Sequence, residues 1–321
     1  MDYLDSLVSI FSDFVNPRKR VFLGYLALSI LIAFVWLLIA RRNSMGQALG
    51  RIFDRKIFFS GSSKADYKVF VINQIIAMII SPMLLTQIAI ATALFFALHE
   101  QGFISKGVFE DTNAGLVVAL FSAAIFIVDD FTKYLLHRWM HRWPSLWAIH
   151  KVHHSATTLT PVTVYRVHPL EGVLFGLRSA IAQGAVLSIF VFLFGDTVDL
   201  YTVVGVNVLV FVFHVTGSNL RHSHIGIRYW PWLEHILISP AQHQLHHSIA
   251  RRHYDKNFGV ALAVWDWLFG SLGLSEEDES LEFGLEPGEK GYETGLKGLY
   301  LGPLQEIARI AKRRVSAPLK R

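Results

Sequence analysis

The stretch Tyr134-Leu-Leu-His137-Arg-Trp-Met-His141-Arg-Trp-Pro144-Ser-Leu-Trp147-Ala-Ile-His150-Lys-Val-His153-His154 decides the reading of this chain. His137 and His141 are four residues apart, so on a helix they lie about 40° apart around the axis and one turn along it, and both reach one metal ion. Pro144 interrupts the pattern. His150, His153 and His154 follow with spacings that again gather side chains on one helical face, and the arrangement recurs as His243-Gln244-Leu245-His246-His247. A lone histidine is ordinarily a surface or hydrogen-bonded core residue. Eight packed imidazoles waste donor and acceptor capacity and repel one another when protonated, unless a cation organises them. Four or five nitrogens per ion suit five- or six-coordinate iron better than tetrahedral zinc, although imidazole also serves zinc, copper and nickel. Eight exceeds the need of one ion, which points to two irons.

The boxes sit among long apolar stretches. The 321 residues are 52% hydrophobic and 17% charged, with a mean hydropathy of +0.39; this is too apolar for an ordinary soluble domain and reads as an integral membrane protein. Apolar runs cover Val21 to Ala40, Val69 to Leu98 with Pro82 inside, a stretch from about Gly115 to Asp129, and Leu170 to Phe194 and Val198 to Val215, joined by Gly195-Asp196-Thr197 as a helical hairpin. Arg178 lies within the fourth run, to meet a polar head group or to snorkel to the interface. Residues 1–16 suit a short interfacial helix, Ser275 to Gly291 an acidic surface loop, and Gln305 to Arg314 a basic amphipathic helix.

Residues 41–68 carry seven Lys and Arg, whereas 99–113 carry Lys106 alone. Positive-inside bias therefore puts the first segment, and with it every histidine box, on the cytoplasmic side. The expected fold is all-α: a membrane bundle of about four to six spans with a cytoplasmic helical cap bearing the boxes. Residues 1–114 read as anchor helices, 115–275 as the catalytic domain with its transmembrane hairpin 170–215, and 276–321 as a C-terminal tail.

Other chemistries are excluded by what the sequence lacks. With no cysteine there is no disulfide, protein-ligated iron–sulfur cluster or thiolate-ligated haem. A net charge of +5 is the mark of membrane-flanking basic residues, and no nucleic-acid motif accompanies it.

The three boxes, in order and spacing, resemble the HxxxH, HxxHH and HxxHH boxes of the fatty acid hydroxylase and sterol desaturase superfamily. The resemblance extends over residues 115–275: Asp130-Phe131 and Tyr134 before the first box, Trp147 before the second, Tyr165 to Glu171 after it, and Asn257-Phe258-Gly259 and Trp265 to Gly270 beyond the third. It implies two Fe2+ ions, O2 as co-substrate, and hydroxylation or desaturation of a lipid such as a fatty acyl chain or sterol, with hydroxylation preferred. There is no dinucleotide fingerprint or haem segment, so a separate ferredoxin- or cytochrome-type donor with its reductase must supply the electrons, and the basic cytoplasmic surface suits an acidic one. The family often has a histidine two residues before Asn-Leu-Arg, where this chain has Gly217; His222 and His224 offer replacements. His168, in the family-like segment at a membrane boundary, is a further candidate ligand, and His214 is a ligand or a packed helix residue. Asp130, two helical turns before His137, and Asp266 are candidates to orient ligating imidazoles, or else salt-bridge partners.

Two rival readings remain at this point. A zinc-dependent hydrolase would turn over without oxygen. A metal transporter or sensor would place its ligands within the spans, whereas the boxes stand outside them.

Overall fold

A computed structural model describes residues 11–17, 19–80, 87–102, 104–195, 208–277, 279–286, 289 and 295–316. The expected interfacial helix falls largely on residues 1–10, outside them, as do Pro82 and the Asp196-Thr197 turn. Among the described residues the fold is helical, and the only β-type pairings are the isolated bridges Leu237–Leu262 and Ser248–Phe283.

Helix α1 (Leu23–Ile39) is apolar on every side, and Leu23, Leu31 and Ile39 are exposed along it while Ala33 and Leu37 are buried. Two short helices follow, α2 (Met45–Ile52), opened by a Ser44/Gln47 capping box, and α3 (Arg55–Phe58), capped by Asp54. Helices α4 (Gly61–Ile80) and α5 (Gln87–Glu100) share the second apolar run. Asn113 caps α6 (Ala114–Arg142), and Pro144 opens α7 (Pro144–His154), where its missing N–H costs nothing. His168 caps α8 (Pro169–Phe194), and α9 (Val208–Val215) completes the apolar part. The remainder is short helices: α10 (Pro231–Glu234), α11 (Pro240–His246) behind a Ser239/Gln242 capping box, and α12 (Val264–Leu268).

α6 and α8 are each long and apolar enough to cross a bilayer, with α1 and residues 88–100 as shorter apolar companions. Large apolar side chains stay exposed along them, among them Leu116, Leu120 and Ile127 of α6 and Ile181 and Ile189 of α8. Such faces are at home in lipid and costly in water. The chain is a membrane protein with two helices of spanning length among the described residues; parts of two further expected spans, 81–86 and 196–207, lie outside them.

α5 and α6 pack along α8. Arg178 is held within this packing: its Nη1 donates to Asp129 Oδ1 at 2.8 Å and to Thr132 Oγ1 at 2.9 Å. A second buried pair sets the position of the second histidine box. Arg166 and Asp66, both fully buried, meet at 3.0 Å, and Arg166 Nε donates to the Val152 carbonyl and to Ser155 Oγ. Removing one partner would strand a buried charge at a cost of about 3–5 kcal/mol, so α4 and the C-terminus of α7 are locked together.

The C-terminal helix is longer than the expected 305–314. As α13 (Leu296–Ser316) it packs on α7, with Leu299 buried against Ala65, Val69 and Val152, and Lys151 paired with Glu306 at 2.8 Å.

Candidate metal centre

The three boxes meet where the polar end of α6, α7 and α11 converge. Their histidines do not sort box by box. His137, His141, His150, His154 and His246 form one group, and His153, His222, His243 and His247 a second, each with its potential ligand atoms within 4.8 Å of one another. The partition follows helical geometry. Residues i and i+4 of α7, His150 and His154, face the first group, and i+3, His153, faces the second. In the third box the sense reverses: His243 and His247 serve the second group and His246 the first. The groups abut, with ring centroids of His154 and His247 4.6 Å apart.

Within the second group the Nε2 atoms of His153 and His243 each lie 3.0 Å from His222 Nε2. In the first, the rings of His137 and His246 are 4.5 Å apart and those of His141 and His154 4.8 Å apart. The Nε2 atoms of His141, His150, His154 and His246, and both ring nitrogens of His247, are buried without a hydrogen-bond partner. A buried polar atom left so costs about 1–3 kcal/mol. Many such atoms aimed at two common points fit two cations. Burial above all, and then neighbouring imidazoles, hold His154, His243 and His247 well below the usual histidine range; His246 is pushed down to about 3, again chiefly by burial. All are neutral near pH 7, the form that ligates metal.

The outer nitrogens of the first group are anchored. His137 Nδ1 donates to the Phe258 carbonyl and His246 Nδ1 to the Lys256 carbonyl, both at 2.8 Å, and His150 Nδ1 donates to Glu171 Oε1 at 2.9 Å. Such bonds fix tautomer and ring orientation. Glu171 was missed by the sequence analysis, although it closes the segment Tyr165–Glu171: nothing local links it to His150.

Asp130 and Asp266 touch no ligating imidazole and make no salt bridge among the described residues, so neither of the two roles considered for them is the one seen. Asp130 accepts from the Ala261 and Leu262 backbone N–H groups and from Trp265 Nε1. Asp266 accepts from the Phe258 and Gly259 N–H groups and from Ser271, and burial raises its carboxyl to about 6. Both hold the 257–265 loop, which in turn presents the Phe258 carbonyl to His137. Gly259 is required there: a Cβ would stand 2.5 Å from the Leu262 carbonyl and 2.8 Å from Asp266.

Of the four candidates outside the boxes, one joins a group. His222, at the end of the 3-10 turn Ser218–His222, enters the second. His168 does not: its Nδ1 accepts from Leu170 N at 3.2 Å and its Nε2 donates to the Tyr300 carbonyl at 3.0 Å, leaving no nitrogen for a metal. His224 is turned away, with Nε2 donating to the Arg51 carbonyl at 2.7 Å. His214 bonds Ser218 Oγ at 3.0 Å and lies against Tyr25. Gly217, at φ 90°, adopts a left-handed conformation suited to glycine.

Two cavities reach the centre. One of about 500 Å3 is lined by His137, His153, His222 and His243 together with the apolar wall of Phe126, Phe175, Val210 and Phe213. The other, about 270 Å3, approaches His141, His154, His246 and His247 between Trp147, Tyr254, Asp255, Glu286 and Glu289.

Residues 122–271 match the family model described as fatty acid hydroxylase. The chain is 26% identical over 264 residues to a Delta(7)-sterol 5(6)-desaturase of Gibberella zeae, 28% over 159 residues to the ornithine lipid hydroxylase OlsE of Rhizobium tropici, and 29% over 161 residues to alkylglycerol monooxygenase of Homo sapiens. These alignments cover 82, 50 and 50% of this chain and 66, 44 and 32% of the relatives, so the chain spans less than two thirds of each. No solved structure matches it. Its box order, its two histidine groups and the match over 122–271 make the chain similar to the superfamily of fatty acid hydroxylases and sterol desaturases and support that assignment.

Proposed function

We propose that this protein is a membrane-bound, O2-dependent di-iron enzyme that hydroxylates a lipid, with the two histidine groups as its iron ligands. One observation carries the reading: nine histidines, eight of them buried and His141 half-buried, many with unpartnered nitrogens, converge on two adjacent points beside a cavity with an apolar wall. Iron in such a nitrogen shell supplies, with O2 and two electrons, an oxidising equivalent strong enough to replace an unactivated C–H by C–OH, the second oxygen atom leaving as water. The protein's own part is placement. The backbone carbonyls of Phe258 and Lys256 and the Glu171 carboxylate hold three imidazoles in fixed orientation, the apolar wall admits a lipid tail and excludes water, and burial keeps the imidazoles unprotonated.

Positive-inside charge supports a cytoplasmic-facing centre in a multi-pass protein. Electrons come from a separate donor protein.

The test is metal analysis of anaerobically purified protein combined with oxygen uptake. About two irons per chain, and product formed only with O2 and a reductant, is the expected result. Stoichiometric zinc in a protein that turns over anaerobically would overturn it.

A further inference from the structure

The larger cavity holds two guanidinium groups without a carboxylate partner among the described residues. Arg221 is 2% exposed, its Nη1 has no hydrogen-bond partner, and its charge rests on the Phe213 ring at 4.6 Å and a long Nε contact of 3.4 Å to the Ser218 carbonyl. Arg20 donates from Nη2 to the Ser218 carbonyl at 2.6 Å and stands 3.2 Å from His222 Nδ1, while its Nε is unpartnered. Both line the cavity that contains His153, His222 and His243.

The acids of that cavity are committed elsewhere. Asp13 is taken by Lys19 and the Tyr165 hydroxyl, Asp129 by Lys133 and Arg178, Asp130 by backbone N–H groups, and Glu171 by His150 through Oε1, its Oε2 remaining unpartnered. Two like charges, Arg221 buried and Arg20 half-buried, thus line one cavity with no counter-charge in contact among the described residues. A buried guanidinium with an unpartnered Nη1 beside a second one is costly without an anion. Guanidinium is also the side chain best matched to the oxygen pairs of carboxylate and phosphate.

We propose that Arg20 and Arg221 receive the anionic end of the substrate, so that the lipid taken by this centre is an amphiphile bearing a carboxylate or phosphate, its apolar chain lying along Phe126, Phe175 and Val210. This rests on the lipid-oxidising reading above and narrows its substrate class. Structural use of the two arginines alone would bring no preference for charge.

The experiment is equilibrium binding to the full-length, metal-loaded protein in neutral detergent, using palmitate, a lysophosphatidate and, as the uncharged probe, hexadecanol. At least one anion binds about tenfold or more tightly than hexadecanol, the effect of a charge-assisted hydrogen bond in a buried site, and the favoured anion names the source, free acid or phospholipid. Arg20→Gln and Arg221→Gln each bring the ratio towards one, while Arg221→Lys keeps much of it; iron content, measured on every variant, separates this from damage at His222. Equal binding of hexadecanol and both anions, or a preference that survives both Gln substitutions in metal-loaded protein, overturns the proposal. Absence of iron from the wild type would instead sink the oxygenase reading and leave the binding comparison standing.

Discussion

The two histidine groups are built from the same boxes but supported differently. In the five-membered group, His137, His150 and His246 are each fixed from behind by a carbonyl or carboxylate. In the four-membered group, the Nδ1 atoms of His243 and His247 have no partner, and the Nδ1 side of His222 faces the Arg20 guanidinium. The first group is therefore the more rigid and electron-rich. The second opens on the apolar cavity beside two cations. On the proposed di-iron reading, support behind one histidine group and access beside the other is a division of labour that suits a centre holding metal firmly while admitting a lipid.

The sharpest way to break this comparison is to delete one ligand from each side. His246→Ala should remove iron from the five-membered group and His222→Ala from the four-membered one, each abolishing product formation, as read by iron content and oxygen uptake. If His222→Ala kept both irons while His168→Ala or His224→Ala lost one, the assignment of the second group would be wrong. Glu171→Gln should act more gently, lowering metal affinity of the supported group by about 10–100-fold in a chelator competition. An affinity unchanged by that substitution would show that the bond to His150 supports nothing.

A third difference can be read through pH. The depressed histidines, among them His243, His247 and His246 at about 3, stay neutral in the folded protein, whereas in an unfolded chain they titrate near 6.5. The unfolded state thus binds more protons below pH 6.5, and stability is lost as pH falls through that window, by about 1.4 kcal/mol per pH unit for each histidine kept neutral. The metal-free protein should melt at constant temperature above about pH 7 and at steadily lower temperature beneath 6.5. Asp266 works in the opposite sense: its carboxyl, raised to about 6, makes a contribution that is present at low pH and fades as pH rises through 6. A melting temperature that rises on acidification would mean that this carboxylate, and not the imidazoles, dominates. The smallest effect belongs to His168→Ala, which should cost about 1 kcal/mol through loss of the α8 cap and leave iron content untouched.

Much of the site was legible because its signal is local. The spacings 137/141, 150/153/154 and 243/246/247 are helical spacings, and the apolar runs that became α1, α6 and α8 are continuous in sequence. What eluded the sequence is long-range. The pairing of His150 with Glu171, and the choice of Ser218–His222 over Leu170 or Arg51 as the neighbourhood of a ligating histidine, depend on how α7, α8 and the turn after α9 meet. Asp130 was placed on the correct face of α6, yet it reaches across to the Ala261 and Leu262 backbone and not along its own helix to His137.

The sequence by itself determined that eight imidazoles would gather in a membrane protein, because i, i+3 and i+4 positions share a helical face and apolar runs leave water without any tertiary help. Only the tertiary structure decided that each HxxHH box splits between two groups and that His222, not His168 or His224, joins them. An imidazole becomes available to a metal when its nitrogens find no carbonyl or N–H to satisfy them, and that is settled by the neighbours the fold brings to its side.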